Sequence, residues 1–156
     1  MSCKCKFSTK QVGKQVLADF LGRFGDDLPE PTIKEATKTL DNWHMICDCN
    51  NPKRIISAGH WVENDWYLCT IKHLATDKEF RGKGLGREVS KRITADALQK
   101  GCLVLAADVT TTNMPSQKIF ESLKFDKVNT FCWQKGKKPA NILHYVKTPP
   151  KNGECV

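Results

Sequence analysis

Apolar positions recur along the chain with two different periods, and the changes between them predict its elements. Val12, Val16, Phe20 and Phe24 recur every four residues, which predicts a first helix over residues 8–24. The Asp-Asp-Leu-Pro-Glu-Pro stretch after Gly25 breaks the chain. Residues 32–43 then read as a second helix, with Ile33, Ala36 and Leu40 inward and Pro31 near its start. Residues 44–48, 54–63 and 66–76 are β-rich, and Asn50-Asn51-Pro52 and Glu63-Asn64-Asp65 supply turns between them, so an antiparallel meander is expected. Leu85, Val89, Ile93 and Ala97 place a third helix over residues 84–100, closed by Gly101 at the C-cap. Residues 102–107 form a short continuous apolar run, the pattern of a strand buried on both faces. A helix over 115–123, capped by Asn113 or nearby threonines, and strands over 127–134 and 141–147 complete the chain.

Composition narrows the class. A chain of 156 residues fits one domain, residues 1–156, with one sizeable core. Its residues are 40% hydrophobic and 27% charged, and no apolar run approaches the roughly 20 residues of a membrane helix. The first 14 residues alternate lysine with small and polar residues and lack an apolar segment, and neither end carries a lipidation motif, so no membrane partner and a cytoplasmic location are expected. In that setting the eight scattered cysteines are expected to be reduced. Cys3/Cys5 and Cys47/Cys49 could hold zinc if their segments adjoined, but structural zinc sites space ligand pairs by two to four residues.

A net charge of +8 and a pI near 9.1 point to an anionic partner. Lys135, Lys137 and Lys138, beside Gly136 and Pro139, read as a solvated hairpin turn rather than a nucleic-acid patch. The informative segment is Arg81-Gly82-Lys83-Gly84-Leu85-Gly86, between a predicted strand and a predicted helix. Such a turn can aim successive N–H groups at one anion, and the helix N-terminus adds about half a positive charge at the same place. Arg87, Lys91 and Arg92 concentrate charge beyond what a helix start requires. The P-loop pattern is absent, and the spacing G-x-G-x-G is not the dinucleotide fingerprint.

Arg81, Gly84 and Gly86 match R-x-x-G-x-G, which resembles the acetyl-CoA signature of the GNAT superfamily of N-acetyltransferases. The whole run from Leu74 to Gly86 is similar to the family segment in which a splayed fourth strand enters the pyrophosphate turn, and Asn113, Ser116, Phe120 and Phe125 resemble its second cofactor element. The resemblance implies an α/β GNAT fold: a mixed, mostly antiparallel, V-opened sheet of about seven strands with helices on both faces. It also implies pantetheine between the family's fourth and fifth strands. Backbone groups of Leu74 and Thr76, around Ala75, would pair with pantetheine; the amides of Arg81, Gly82, Lys83, Gly84, Leu85, Gly86 and Arg87 would hold pyrophosphate; Asn113 and Ser116 would flank the thiol end, with Phe120 in the same cofactor element.

The implied reaction is direct transfer of acetyl from acetyl-CoA to a primary amine, on a protein N-terminus, a lysine or a small molecule. A lysine-type amine is unprotonated roughly once in several thousand molecules at pH 7, an α-amine roughly one time in ten, so a base matters. Asp108 ends the buried run and matches an acidic position that has this role in ribosomal-protein N-terminal acetyltransferases; capping of the next turn is the competing reading. The family's fourth-strand base position falls at Thr70, with His73 three residues on, and His60, His73 and His144 read as structural. Phe120 stands where the family has an acidic tyrosine, Lys124 where it has a glycine, and Tyr145 is a substitute acid or a packing residue. The alternative from another class is a CoA-binding module without turnover.

Overall fold

The structure, a computed structural model, describes residues 12–24, 28–135 and 138–149. Its helices are α1 (Lys14–Gly22), α2 (Glu30–Ala36), α3 (Leu85–Gln99) and α4 (Met114–Ser122). Its strands are β1 (Trp43–Asp48), β2 (Asn51–Glu63), β3 (Leu68–Thr76), β4 (Val104–Thr110), β5 (Asp126–Lys135) and β6 (Lys138–Lys147). They form a mostly antiparallel sheet flanked by helices, in the order β1-β2-β3-β4-β6-β5. Among the described residues six strands stand where about seven were expected: the residue pattern names six, and the seventh comes only from the resemblance. The strands that the resemblance would make the family's fourth and fifth are β3 and β4. Cys3, Cys5, Gly136, Lys137 and Cys155 lie outside the described residues, as does most of the first helix's expected start.

The described chain divides into two compact units. In the first, residues up to His60 and 73–93, the core gathers Leu17, Phe20 and Leu21 of α1, Ile33 of α2, and Trp43, Met45, Ile55 and Ala58 of the sheet. The four-residue recurrence caught Phe20 of α1's buried face and otherwise its margin: Val12, Val16 and Phe24 pack partly buried beside fully buried Leu17 and Leu21. Helix α2 ends at Ala36, well before the expected Trp43. The Thr37 hydroxyl donates to the Ile33 carbonyl at 2.8 Å, and Trp43 Nε1 donates to the Ala36 carbonyl at 2.9 Å. Helix-end carbonyls are thereby satisfied, and the buried Trp43 opens β1 instead. Strand β2 is buried continuously from Ile55 to Trp61; a Cβ on its Gly59 would lie 3.0 Å from Ile93 Cδ1 and 3.1 Å from Leu74 Cδ1, so a larger residue there would press on those two side-chain ends.

The second unit comprises residues 61–72 and those from Thr94 onward. Strand β3 runs parallel to β4 from Leu68–Val104 to Thr70–Ala106, and β6 lies antiparallel between β4 and β5. Phe120, Phe125 and Tyr145 make its aromatic core. Trp61 is buried there with Nε1 donating to Asp96 at 2.8 Å. Strand β5 closes the sheet at one rim, with Val128, Phe131 and Trp133 exposed. Both helix ends in this unit finish in Schellman motifs. Cys102 N–H reaches the Ala97 carbonyl and Gly101 N–H that of Leu98, with Gly101 at φ +95° as the sequence predicts. Phe125 N–H reaches Phe120 and Lys124 N–H reaches Glu121, but here the left-handed position, φ +62°, is held by Lys124.

Candidate functional site

Strand β3 passes through Asp77 and a 3₁₀ turn (Lys78–Phe80) into Arg81-Gly82-Lys83-Gly84 and then α3, as the strand–turn–helix reading requires. Gly82 and Gly84 lie at φ +75° and +77°, and a Cβ at either would meet nothing within 4 Å. Conformation rather than crowding therefore demands glycine, and the turn lies open to a ligand. Residues 81–84 are exposed, and Gly84 accepts from Glu88 N–H at 3.0 Å as the helix begins. Gly86 and Arg87 follow in the first turn of α3, whose inward positions Val89, Ile93 and Ala97 are fully buried.

The approach to the turn is braced. Asp77 N–H donates to the Ile56 carbonyl at 2.8 Å, and Arg81 Nε donates to the Thr76 carbonyl at 3.2 Å. Ser57 Oγ lies 2.9 Å from Thr76 Oγ1 and donates to the Ala75 carbonyl. Phe80 carries the Lys83 ammonium 4.9 Å and the Arg54 guanidinium 5.2 Å from its ring centre. Arg54 also binds Asp77 and Glu79, and Arg23 binds Asp77. Burial alone would push the Asp77 carboxyl up, but the Arg54 hydrogen bond, the Glu79 N–H and the charges of Arg54 and Arg23 outweigh it and hold the group below the usual carboxylate range.

In the other unit, Asp108 sits on β4 directly opposite His144 on β6, with Oδ1 2.6 Å from Nδ1. The Asp108 side chain, which the competing reading would turn to the following loop, bonds across the ladder to His144. The side chains are 49% and 31% exposed, so a solute reaches both. Asn113 caps α4 by accepting from Ser116 N–H at 3.3 Å, as expected of that position. Phe120 is buried against Phe125 and Tyr145. Tyr145 is fully buried and donates to Glu121 at 3.0 Å; burial first, then the Glu121 hydrogen bond, push its hydroxyl's pKa up.

Thr70 donates to Asn64 Oδ1 at 2.6 Å, which ties it to the β2–β3 turn. His73 takes φ +53° within β3, which breaks the strand's alternation and brings its Nδ1 2.7 Å from His60 Nε2. Trp43 stacks on His60 with ring centres 4.1 Å apart, completing a structural aromatic stack in the first unit. Among the described residues Cys47, Cys49, Cys69, Cys102 and Cys132 are unbridged, and no group of three His, Cys, Asp or Glu could hold a metal. Burial, with the neighbouring Cys102, pushes the Cys69 thiol up to about 12. Among these residues, too, no helix is long and apolar enough to cross a membrane.

The model of the FR47-like protein family matches residues 52–134, from β2 into β5. An N-acetyltransferase from Staphylococcus aureus is similar in structure, with a TM-score of 0.72 at 16% identity over 86% of this chain and 93% of that one. A ribosomal-protein-alanine N-acetyltransferase from Brucella melitensis gives 0.70 at 14% identity, covering 87% and 96%. A Salmonella typhimurium protein solved with its cofactor acetyl-CoA gives 0.69 at 14% identity, covering 92% and 90%. The fold is that of the GNAT acetyltransferases.

Proposed function

The chain belongs to the FR47-like protein family, and on that premise we propose that residues 1–156 work as one domain that transfers acetyl directly from acetyl-CoA to a primary amine. The observation that carries this reading is the turn at Gly82 and Gly84, held in the left-handed region with open space where side chains would be, at the start of a 15-residue helix. Amides from Arg81 to Arg87 bind the diphosphate there, assisted by the helix dipole and by Lys83. Backbone groups of Leu74 and Thr76 pair with the pantetheine arm, and Asn113 and Ser116 border the thiol end. Asp108 supplies the carboxylate for removing the amine's proton. A structurally similar protein carries acetyl-CoA as its cofactor, which supports the choice of donor.

Acetyl transfer is tested by incubating the chain with acetyl-CoA and a panel of peptides and small amines, reading mass gain on the acceptor and release of free thiol. An acetylated acceptor is expected. The second reading, a CoA-binding module, is favoured by one observation: Phe120, in the family's tyrosine position, lies in the core without a proton to give. Protection of the chain against heat by acetyl-CoA, with no thiol released by any acceptor, would decide for that reading.

A further inference from the structure

Acetyl transfer to an amine needs a group that can accept a proton beside the acceptor, and a lone carboxylate is a weak base for an amine. The β4–β6 ladder pairs Asp108 with a better one. Because an ionised carboxylate only accepts hydrogen bonds, the 2.6 Å contact makes His144 Nδ1 the donor, and the neutral ring then carries its lone pair on Nε2. Alternation along β6 separates this pair from the packing residues. Tyr145, the next residue, turns toward Phe120 and Glu121 of α4, so His144 and Asp108 occupy the opposite face of these strands. On that face the uncharged Asn129 of β5 stands across from His144, and exposed Phe131 stands across from Ile142. The charged group paired with His144 is Asp108 alone among the described residues.

We propose that His144, rather than Asp108 directly, is the base of the reaction, taking the amine's proton at Nε2, while Asp108 acts as the positioning residue that fixes the ring through Nδ1. This rests on the acetyl-transfer reading. The free amine attacks the thioester carbonyl; the new N–C bond forms as one N–H proton passes to Nε2. The C–S bond then breaks, the sulfur leaves as thiolate, and the imidazolium returns the proton to it. The products are the acetamide and coenzyme A thiol, and His144 is restored. The same ring thus supplies the acid that Phe120 cannot.

The decisive variant is His144→Asn, whose amide nitrogen stands near the place of Nδ1 and keeps a donor for Asp108 while removing Nε2. On an acceptor that the wild-type chain acetylates, kcat is expected to fall about 100-fold or more, with the CoA Kd within about twofold. His144→Ala should be rescued in part by added imidazole. Asp108→Asn should cost less, about tenfold in kcat with the acceptor KM held, because the ring keeps Nε2 but loses the carboxylate that orients it. If His144→Asn keeps the wild-type kcat and pH profile, the base assignment is wrong while acetyl transfer stands. If the wild-type chain acetylates no amine, both fall together.

Discussion

The guanidinium of Arg54 lies 3.2 Å from the carboxylate of Asp77, the residue through which β3 enters the glycine turn. Arg23 reaches the same oxygen at 3.1 Å, and Arg54 spans onward to Glu79 at 2.7 Å. Asp77 also accepts from Glu79 N–H, so one carboxylate fixes both the backbone and the charges ahead of the turn.

Asp77→Asn should make stability less dependent on acid. A carboxyl whose folded value is depressed contributes stability above its unfolded value, and that contribution disappears as pH falls through the lower folded value. With solvent screening allowed for, the loss at pH 7 should be roughly 1 kcal/mol, about 2–4 °C in Tm. Thermal melts of the two chains from pH 7 downward should converge in acid; a constant gap would mean that charge is not the cause.

Gly84→Ala should weaken binding of CoA by about tenfold in Kd, the equivalent of about 1.4 kcal/mol, since φ +77° is costly for a residue with a Cβ even where the Cβ has room. Asn tolerates the left-handed region better than Ala, so Gly84→Asn should fall between the two. Calorimetric titration of CoA into the three chains reads the order Gly, Asn, Ala; equal affinities would dissociate the turn from the ligand.

Lys124→Gly should stabilise the chain by about 1 kcal/mol, because Lys124 holds the left-handed position of a Schellman motif at φ +62°. Chemical denaturation reads it directly. The gain is local: Lys147 Nζ, which donates to the Leu123 carbonyl at 2.6 Å and to that of Lys124 at 3.4 Å, keeps both acceptors in the variant.

Where local chemistry decides the structure, the sequence was legible. Gly101, the Asn113 cap and the apolar stripe of α3 all depend on residues within one or two turns of one another. Helix α2 was overextended because Trp43 is inward on either period, and what stops the helix is its indole reaching back seven residues to Ala36. His73 was harder still: a positive φ inside a strand carries no residue signature when histidine holds it. The pairing of Asp108 with His144, 36 residues apart, was hidden for another reason. Both lie on alternating strands, but only the register of β4 on β6 makes them neighbours, and register follows from the whole sheet. The acid is legible from its place at the end of an apolar run and from its match to the acidic position of similar enzymes; its partner carries no such signal.

The sheet's rim bears on how the molecule behaves among its own copies. At +8 they repel one another in dilute buffer, yet physiological salt damps that repulsion beyond about 8 Å. At shorter range a copy meets β5, whose outer side no described strand pairs with and whose Val128, Phe131 and Trp133 face solvent. Added salt therefore shifts the colloidal balance from mutual avoidance toward edge-to-edge adhesion, and its origin is ten residues at one end of the sheet.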